Sequence, residues 1–469
     1  MNEKKLSHLA GTFLIQADAA FLNGAGLGQG EDRNVTIPKT FRDLKGEVPY
    51  VSSQAWKRWL RNTFIEETGW PASEVKAIGW NPKGNLNKIA GELNPVDFPE
   101  DDIFGYMRAQ EGQGKKVAEE EEETEEGRTS SMRTKSVMRA SPFMASILIS
   151  LRSTGWKGED EGFVHLTRFD PLALAEAEVE RFLSSVPNKK KDKKKTVWER
   201  LAEIDGVGSD VANKLKSHVD DNKLDLLRKE LSKMAKDRNV EVAFIENPCS
   251  PLPYTTRFYN THLQGIFCLD YGRLGTYWNL GDRIELEETK ANKLIQDGKL
   301  AEVTNKEPYK ALSNNGRIGK IYRITKKAEH SPKERASELF KALSVLRGGA
   351  KQAQFGTDVS PKVLILAGLT CGNPIFNHLF KDTPEGPVLK IKTLEEVIKD
   401  YSDRIVTPVL IGIRSGYLQN ESDVKLLNNK NLSVGENENK REVKILVMSP
   451  LEAAQKIGAY IPNDGDSVT

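Results

Sequence analysis

"SPKERASELFKALSVLRGGAKQAQFGTDVSPKVLILAG", residues 331–368, runs from a helical pattern through a glycine pair into a buried-strand pattern. Ala336, Leu339, Phe340, Leu343 and Leu346 recur mostly at three and four, as in an amphipathic helix. Gly348 and Gly349 fall where a helix closes in a left-handed cap. "KVLILAGL" (362–369) then reads as a strand. Two glycines also let another backbone approach closely, and Lys351 and Gln352 add donors on the turn. The stretch lacks Walker spacing and follows a helix instead of leading into one, so nucleotide hydrolysis gains no support from it.

Working outward, "LAGTFLIQADAAFL" (9–22) reads as a first strand and is followed by a glycine-rich turn region, 23–34. "VSSQAWKRWLRNTFIEE" (51–67) suits a helix started by Ser52 or Ser53. A strand is expected over 136–153, where pre-proline Ser141 favours extended backbone. A helical block covers 171–238, and "NVEVAFIEN" (239–247) and 262–278 read as β. Polar and helical material fills 282–330. "TPVLIGIRSGYL" (407–418) and "REVKILVMS" (441–449) read as strands, and "SPLEAAQKIGAYI" (449–461) as a helix. Without the insertions, the order is strand, helix, strand, strand, helix, strand. That is the order of the ferredoxin-like α+β sandwich, shared by RNA-recognition domains.

The 469 residues are 29% charged and 38% hydrophobic, enough for two to four domains with real cores. A net charge of +2 provides no global basic field, but the charge is unevenly placed. Seven glutamates sit in 118–126 and six lysines in 189–195, so 115–130 and 188–196 are expected to be disordered linkers. Three cysteines without a CxxC argue against a disulfide framework or a zinc site and fit a reducing compartment. The histidines lack metal-ligand spacing, and G-x-S-x-G and H-E-x-x-H are absent. No catalytic residue, metal or cofactor is therefore expected. No stretch reaches membrane-spanning length, and the expectation is a cytoplasmic protein with no membrane partner.

Three places carry binding chemistry. In the 51–67 helix, Gln54 and Arg58 share one face and Lys57 and Arg61 another, while Trp56, Leu60 and Phe64 form a core stripe. The basic side suits a phosphate backbone. Arg139 stands ahead of "ASPFMASILISL", and Tyr254, Arg257, Phe258, Tyr259, Asn260 and His262 interleave aromatics with donors. Such a strand suits unstacked bases, and equally a half-buried strand pair. "LAEIDGVGSDVANKL" (201–215) resembles the helix-hairpin-helix of duplex-DNA-binding proteins; otherwise it is a plain helical hairpin.

The ordered set "VSSQAWKRWLR", "RASPF", "TTRFYNTHLQGIF" and "LRGGAKQA…DVSP" resembles the backbone subunit of type I CRISPR Cascade complexes, nearest the DevR-type subunit of I-B systems. The resemblance covers roughly 1–66, 136–153 and 250–370. It implies a ferredoxin-like (RRM-like) palm with a large fingers insertion and a β-hairpin thumb. It also implies a helical filament of copies along one CRISPR RNA, contacts with other Cascade subunits, and target DNA recognised through guide pairing without cutting. On these motifs the palm spans 1–66, 136–154 and 263–370. The fingers would be 67–135, a lysine-rich helical insertion 155–239, the thumb 240–262 and a C-terminal α/β extension 371–469. The implied RNA contacts are Ser52, Ser53, Gln54, Lys57, Arg58 and Arg61, then Gly348, Gly349, Lys351 and Gln352, where a Cβ at Gly349 is expected to push the RNA off the turn. Arg33, Lys39, Arg139, Arg257 and Tyr259 complete the set. The size of the lysine-rich insertion and the acidic segment depart from the family pattern. Two other readings stand beside this one. One is an RNA endonuclease like type III subunits, with Asp32 in the loop after the first strand; the other is a duplex-DNA binder built on 201–215.

Overall fold

In the computed structural model the described residues are 5–30, 33–43, 46–80, 86–108, 136–151, 158–165, 170–187, 195–220, 224–246, 252–434 and 441–463. Asp32, the whole of 115–130, and 188–194 lie outside them, and so do the expectations placed there. The chain divides into two compact units: 1–28 with 37–159 and 257–469, and 29–36 with 160–256.

The first unit is built on β1 (His8–Ala20), α1 (Ser53–Thr68), β2 (Leu148–Ser150), β3 (Leu252–Asp270, from residue 257 on), α2 (Pro332–Ser344) and β4 (Val363–Leu369). The strands lie in the order β4–β1–β3–β2, each neighbouring pair antiparallel. Two glycines set how closely β1 and β3 pack. Gly11 lies opposite Phe267, and Phe13 opposite Gly265. A Cβ on Gly11 would stand 2.4 Å from the Phe267 ring, and one on Gly265 2.5 Å from the Phe13 ring. Each glycine thus leaves room for the ring across the strand pair. Beyond β4 the sheet continues through β5 (Val409–Ile413), the parallel β6 (Arg441–Met448) and Asn431–Val434. Beyond β2 it continues through Gly46–Val51 and Thr40–Asp43.

Period two gives this sheet two buried faces. Leu9, Phe13 and Ile15 belong to a core with Trp56, Leu60 and Phe64 of α1, Leu339, Phe340 and Leu343 of α2, and Ile457 of α3 (Pro450–Tyr460). Ala10 and Leu14 belong to another core, with Phe376, Leu394 and Ile398. β4 and β5, buried at every position, read as continuous apolar runs for that reason. Ser331 and Ser449 start α2 and α3 with complete capping boxes to Glu334 and Glu452, and proline occupies the first turn of each. Ser52 precedes α1 in extended backbone, although its side chain makes no cap bond.

Three expectations change. The single strand over 136–153 is three short ones, Val137–Arg139, Phe143–Ala145 and Leu148–Ser150. Pro142, which lacks an N–H, interrupts it, and its carbonyl instead accepts from Asp270 N–H at 3.0 Å. The 282–330 stretch contributes strands to a second sheet, ordered Leu300–Glu302, Gly319–Ile324, Thr276–Leu280, Arg283–Ile284, Val137–Arg139, Tyr106–Arg108. Residues 240–246 form no strand. Val240, Val242 and Phe244 pack on the helical core, while the carbonyls of Ala243 and Ile245 accept from Arg181 and Arg228 at 2.8 and 2.9 Å. Alternation there reflects an extended chain lying on helices. Within 240–262, residues 247–251 lie outside the described ones, and 252–262 belongs to β3.

In the second unit, helices Pro171–Ser185, Val197–Ala202, Gly208–Asp220 and Leu224–Asp237 enclose Val179, Phe182, Leu201, Leu215, Leu227 and Leu231. Gly206 and Gly208 both take left-handed backbone, φ 81° and 67°, at the turn into Gly208–Asp220. No helix among the described residues is long and apolar enough to cross a membrane.

Candidate nucleic-acid interface

The start of α1, the turn after β1 and Ala350, just past the glycine pair, are tied together by hydrogen bonds. Asn23, just past β1, accepts the Ser52 N–H on its Oδ1 at 3.0 Å. Its carbonyl accepts the Lys39 N–H at 2.8 Å, and the Leu22 carbonyl accepts the Ala350 N–H at 2.9 Å. The Lys351 ammonium lies 5.3 Å from the centroid of the Phe21 ring, and partial burial lowers its pKa. Residues 21–23 therefore hold Lys39, Ser52 and the 348–352 turn as one shelf. Asn23 was not among the sequence candidates. Its signal was an amide directly before a glycine at the end of a strand.

The glycine pair is not a helix cap. α2 ends at Ser344 with Val345 as its C-cap, three residues before Gly348. Its reason is packing. A Cβ on Gly348 (φ 148°) would stand 2.3 Å from Trp59 Cγ of α1. One on Gly349 (φ 110°) would stand 2.6 Å from Gln352 Nε2 and 2.8 Å from Leu22 Cδ2. A Cβ at Gly349 would thus first meet the far ends of two of the protein's own side chains, at a φ that disfavours any side chain. The Gln352 amide donates to the carbonyls of Gly348 and, at 3.1 Å, Thr357, so it braces the turn from inside. Thr63 of α1 closes the other side, accepting the Arg347 N–H at 3.1 Å. Lys351 itself adopts the left-handed region, φ 53°.

α1 presents two basic faces with different fates. Gln54 and Arg58 are exposed. Lys57 is half-buried; its Nζ donates to Ser141 Oγ at 2.9 Å, and burial lowers its pKa. Arg61 lies 3.1 Å from Asp101 Oδ1 and 3.4 Å from Glu100 Oε1, two carboxylates that are 3% and 1% exposed. One guanidinium does not offset two buried carboxylates. Burial first, and then the neighbouring Glu100, push the Asp101 pKa up to about 6 against the pull of Arg61.

The remaining candidates separate. Arg139, expected at an RNA contact, is fully buried. It pairs with Asp102 and, at 3.1 Å, with Glu285, and it donates to the carbonyls of Thr276 at 3.0 Å and Arg273 at 2.8 Å. Arg335 joins the same Asp102 at 2.7 Å. Every guanidinium edge of Arg139 is occupied inside the protein, which removes it from the interface. Tyr259 is 2% exposed, and burial raises its hydroxyl well above the usual phenol range. Arg257 is half-buried two positions earlier on β3. Phe258 packs on Phe355 at 5.7 Å, and His262 Nδ1 lies 2.9 Å from the Tyr417 hydroxyl, so these strand aromatics serve internal contacts. Arg33 is exposed and belongs to the second unit. Ser53 is the first residue of α1. Among the described residues, no group of three His, Cys, Asp or Glu side chains is arranged to hold a metal ion.

No protein-family model matches the chain, and neither does any curated protein. Among solved structures, it is similar to a chain described as "CRISPR RNA-guided surveillance complex", at 9% identity and TM-score 0.33, over 87% of this chain and 90% of that one. It is also similar to a chain described as "CRISPR RNA-guided surveillance complex, pre-nicking", at 9% identity and TM-score 0.41, over 97% of this chain and 100% of that one. At these values both likenesses are distant.

Proposed function

We propose that this protein is a non-catalytic, RNA-binding backbone subunit of a type I Cascade effector, of the I-B DevR-type variety. Several copies assemble along one CRISPR RNA and hold it for pairing with target DNA. The β4–β1–β3–β2 order with α1 and α2 between strands is read as the ferredoxin-like palm. The observation that carries the proposal is the shelf: Asn23 and Leu22 bind the start of α1, Lys39 and the 348–352 turn into one surface. Two sequence motifs of the resemblance, "VSSQAWKRWLR" and "LRGGAKQA", meet there with the loop that carries Lys39. Gln54, Arg58 and Lys351 supply donors for a phosphate backbone, on backbone segments already tied together before RNA arrives.

Co-expression with a CRISPR RNA tests the proposal. Purified particles are expected to contain several copies per guide, and nuclease digestion to leave protected fragments at a regular spacing. Recovery of the protein as a monomer free of RNA, or regular cutting of complementary RNA by the particles in magnesium, would overturn it.

A further inference from the structure

The core that holds Ala10 and Leu14 lies over β1, β4 and β5 and reaches β3 at Cys268. Residues directly opposite each other across a strand pair share a face of the sheet. Met144 lies opposite Cys268. Ile149 of β2 lies opposite Gln264, which is itself opposite Leu14, and on its other side opposite Tyr50 of strand Gly46–Val51. The same face therefore continues past that core, over β2 and Gly46–Val51. There Met144, Ile149 and Tyr50 belong to no core among the described residues. Met144 and Ile149 are 45% and 40% exposed. Tyr50 is half-buried and meets the half-buried Phe41 edge to face, ring centroids 5.9 Å apart.

An apolar sheet face left open calls for a partner. Lys39 indicates the chemistry of that partner. It directly precedes strand Thr40–Asp43, its carbonyl accepts the Tyr50 N–H at 3.1 Å, and it makes no ion pair among the described residues. Its own N–H is bound to the Asn23 carbonyl of the shelf at 2.8 Å. The row Lys39, Tyr50, Ile149, Gln264 thus starts at the shelf, with a cation at its head and no carboxylate in it. A single strand offers a phosphate to such a cation and bare base faces to the ring and the aliphatic side chains beyond it. We infer that this sheet face is a stacking platform for unpaired bases of the guide RNA. A phosphate stays at Lys39 while bases lie against Tyr50 and Ile149 and on towards Met144. The inference rests on the reading of the shelf as an RNA site and extends it: the shelf grips the backbone, and the sheet face takes the bases.

Titration of the full chain with a single-stranded oligoribonucleotide and with an abasic strand of the same length, at one salt concentration, tests this. The base-bearing strand is expected to bind about ten-fold or more tightly than the abasic one. Tyr50→Ala is expected to lower that ratio by about five-fold or more, and Tyr50→Phe to keep it. Arg58→Glu, on the shelf, is expected to weaken both strands alike and leave the ratio unchanged. Equal affinity for the two strands overturns the inference, and so does a ratio unchanged in Tyr50→Ala. In either case the shelf is judged separately, by Arg58→Glu on the abasic strand. A ratio that falls in Tyr50→Ala while Arg58→Glu binds as the parent does supports the platform and overturns the shelf. If Tyr50→Ala lowers the melting temperature, Ile149→Ser, at an exposed position, decides by the same ratio. Loss of self-association in Ile149→Arg with the ratio unchanged would assign the face to a second copy of the chain and overturn the inference.

Discussion

Lys57 and Arg58 are adjacent in the sequence, yet the two faces of α1 that carry them have different surroundings. Gln54 and Arg58 face solvent. Lys57 and Arg61 face Ser141 and the carboxylates of helix Pro99–Phe104. The second face continues the pattern of Arg139, Arg273 and Arg335, whose charges are spent on Asp102 and Glu285. A cation's role is thus decided by whether a carboxylate arrives from elsewhere in the chain. The inward face holds the unit together; the outward face remains available for a partner.

The comparison breaks most visibly at the buried network. Arg139→Ala breaks one buried ion pair each of Asp102 and Glu285 and leaves the buried carbonyls of Thr276 and Arg273 without that donor. It is expected to destabilise folding by about 3–5 kcal/mol in chemical denaturation, with loss of RNA binding only as a consequence of unfolding. A variant that melts normally yet fails to bind RNA would return Arg139 to the interface.

Gly348→Ala comes next. It forces a side chain onto Trp59 at an unfavourable φ and is expected to cost about 1–3 kcal/mol. A melting temperature equal to that of the parent would show that α1 and the turn are not packed as described.

Asp101→Asn sharpens the inward face through pH. The folded pKa of Asp101, about 6, lies above its unfolded value. The favourable contribution of the protonated carboxyl is therefore full below the unfolded pKa and is lost as pH rises through about 6. The asparagine variant escapes that loss. Its stability relative to the parent is expected to rise by about 2–3 kcal/mol between acidic and neutral pH. Parallel stability curves over that range would contradict the account of Arg61 as one charge shared by two carboxylates.

Much of the fold was readable locally. The apolar run of β4, the stripe of Trp56, Leu60 and Phe64, and the Ser-Pro-x-Glu starts of α2 and α3 announce themselves within a few residues. What was not readable depends on contacts across long separations. Arg139 looks like an interface residue until Glu285, 146 positions away, is beside it. Gly348 looks like a cap until Trp59 is found against it. The alternation in 240–246 is real, but arginines on neighbouring helices take its carbonyls before a strand partner does. In the shelf, the charged residues were legible because they are surface donors in a helical pattern. Asn23 was not, because it acts through the main chain of Ser52 and Lys39.

The smallest expected change in stability accompanies the most direct test. Arg58→Glu lies on the exposed face and is expected to leave the melting temperature within about a degree, as surface substitutions do. Its affinity for the guide RNA, measured across a salt series, is expected to fall by ten-fold or more. The salt slope is expected to shrink by about 0.7 or more, because one phosphate is no longer neutralised. Unchanged affinity and slope in a normally folded Arg58→Glu protein would contradict the claim that the outward face of α1 grips the RNA backbone.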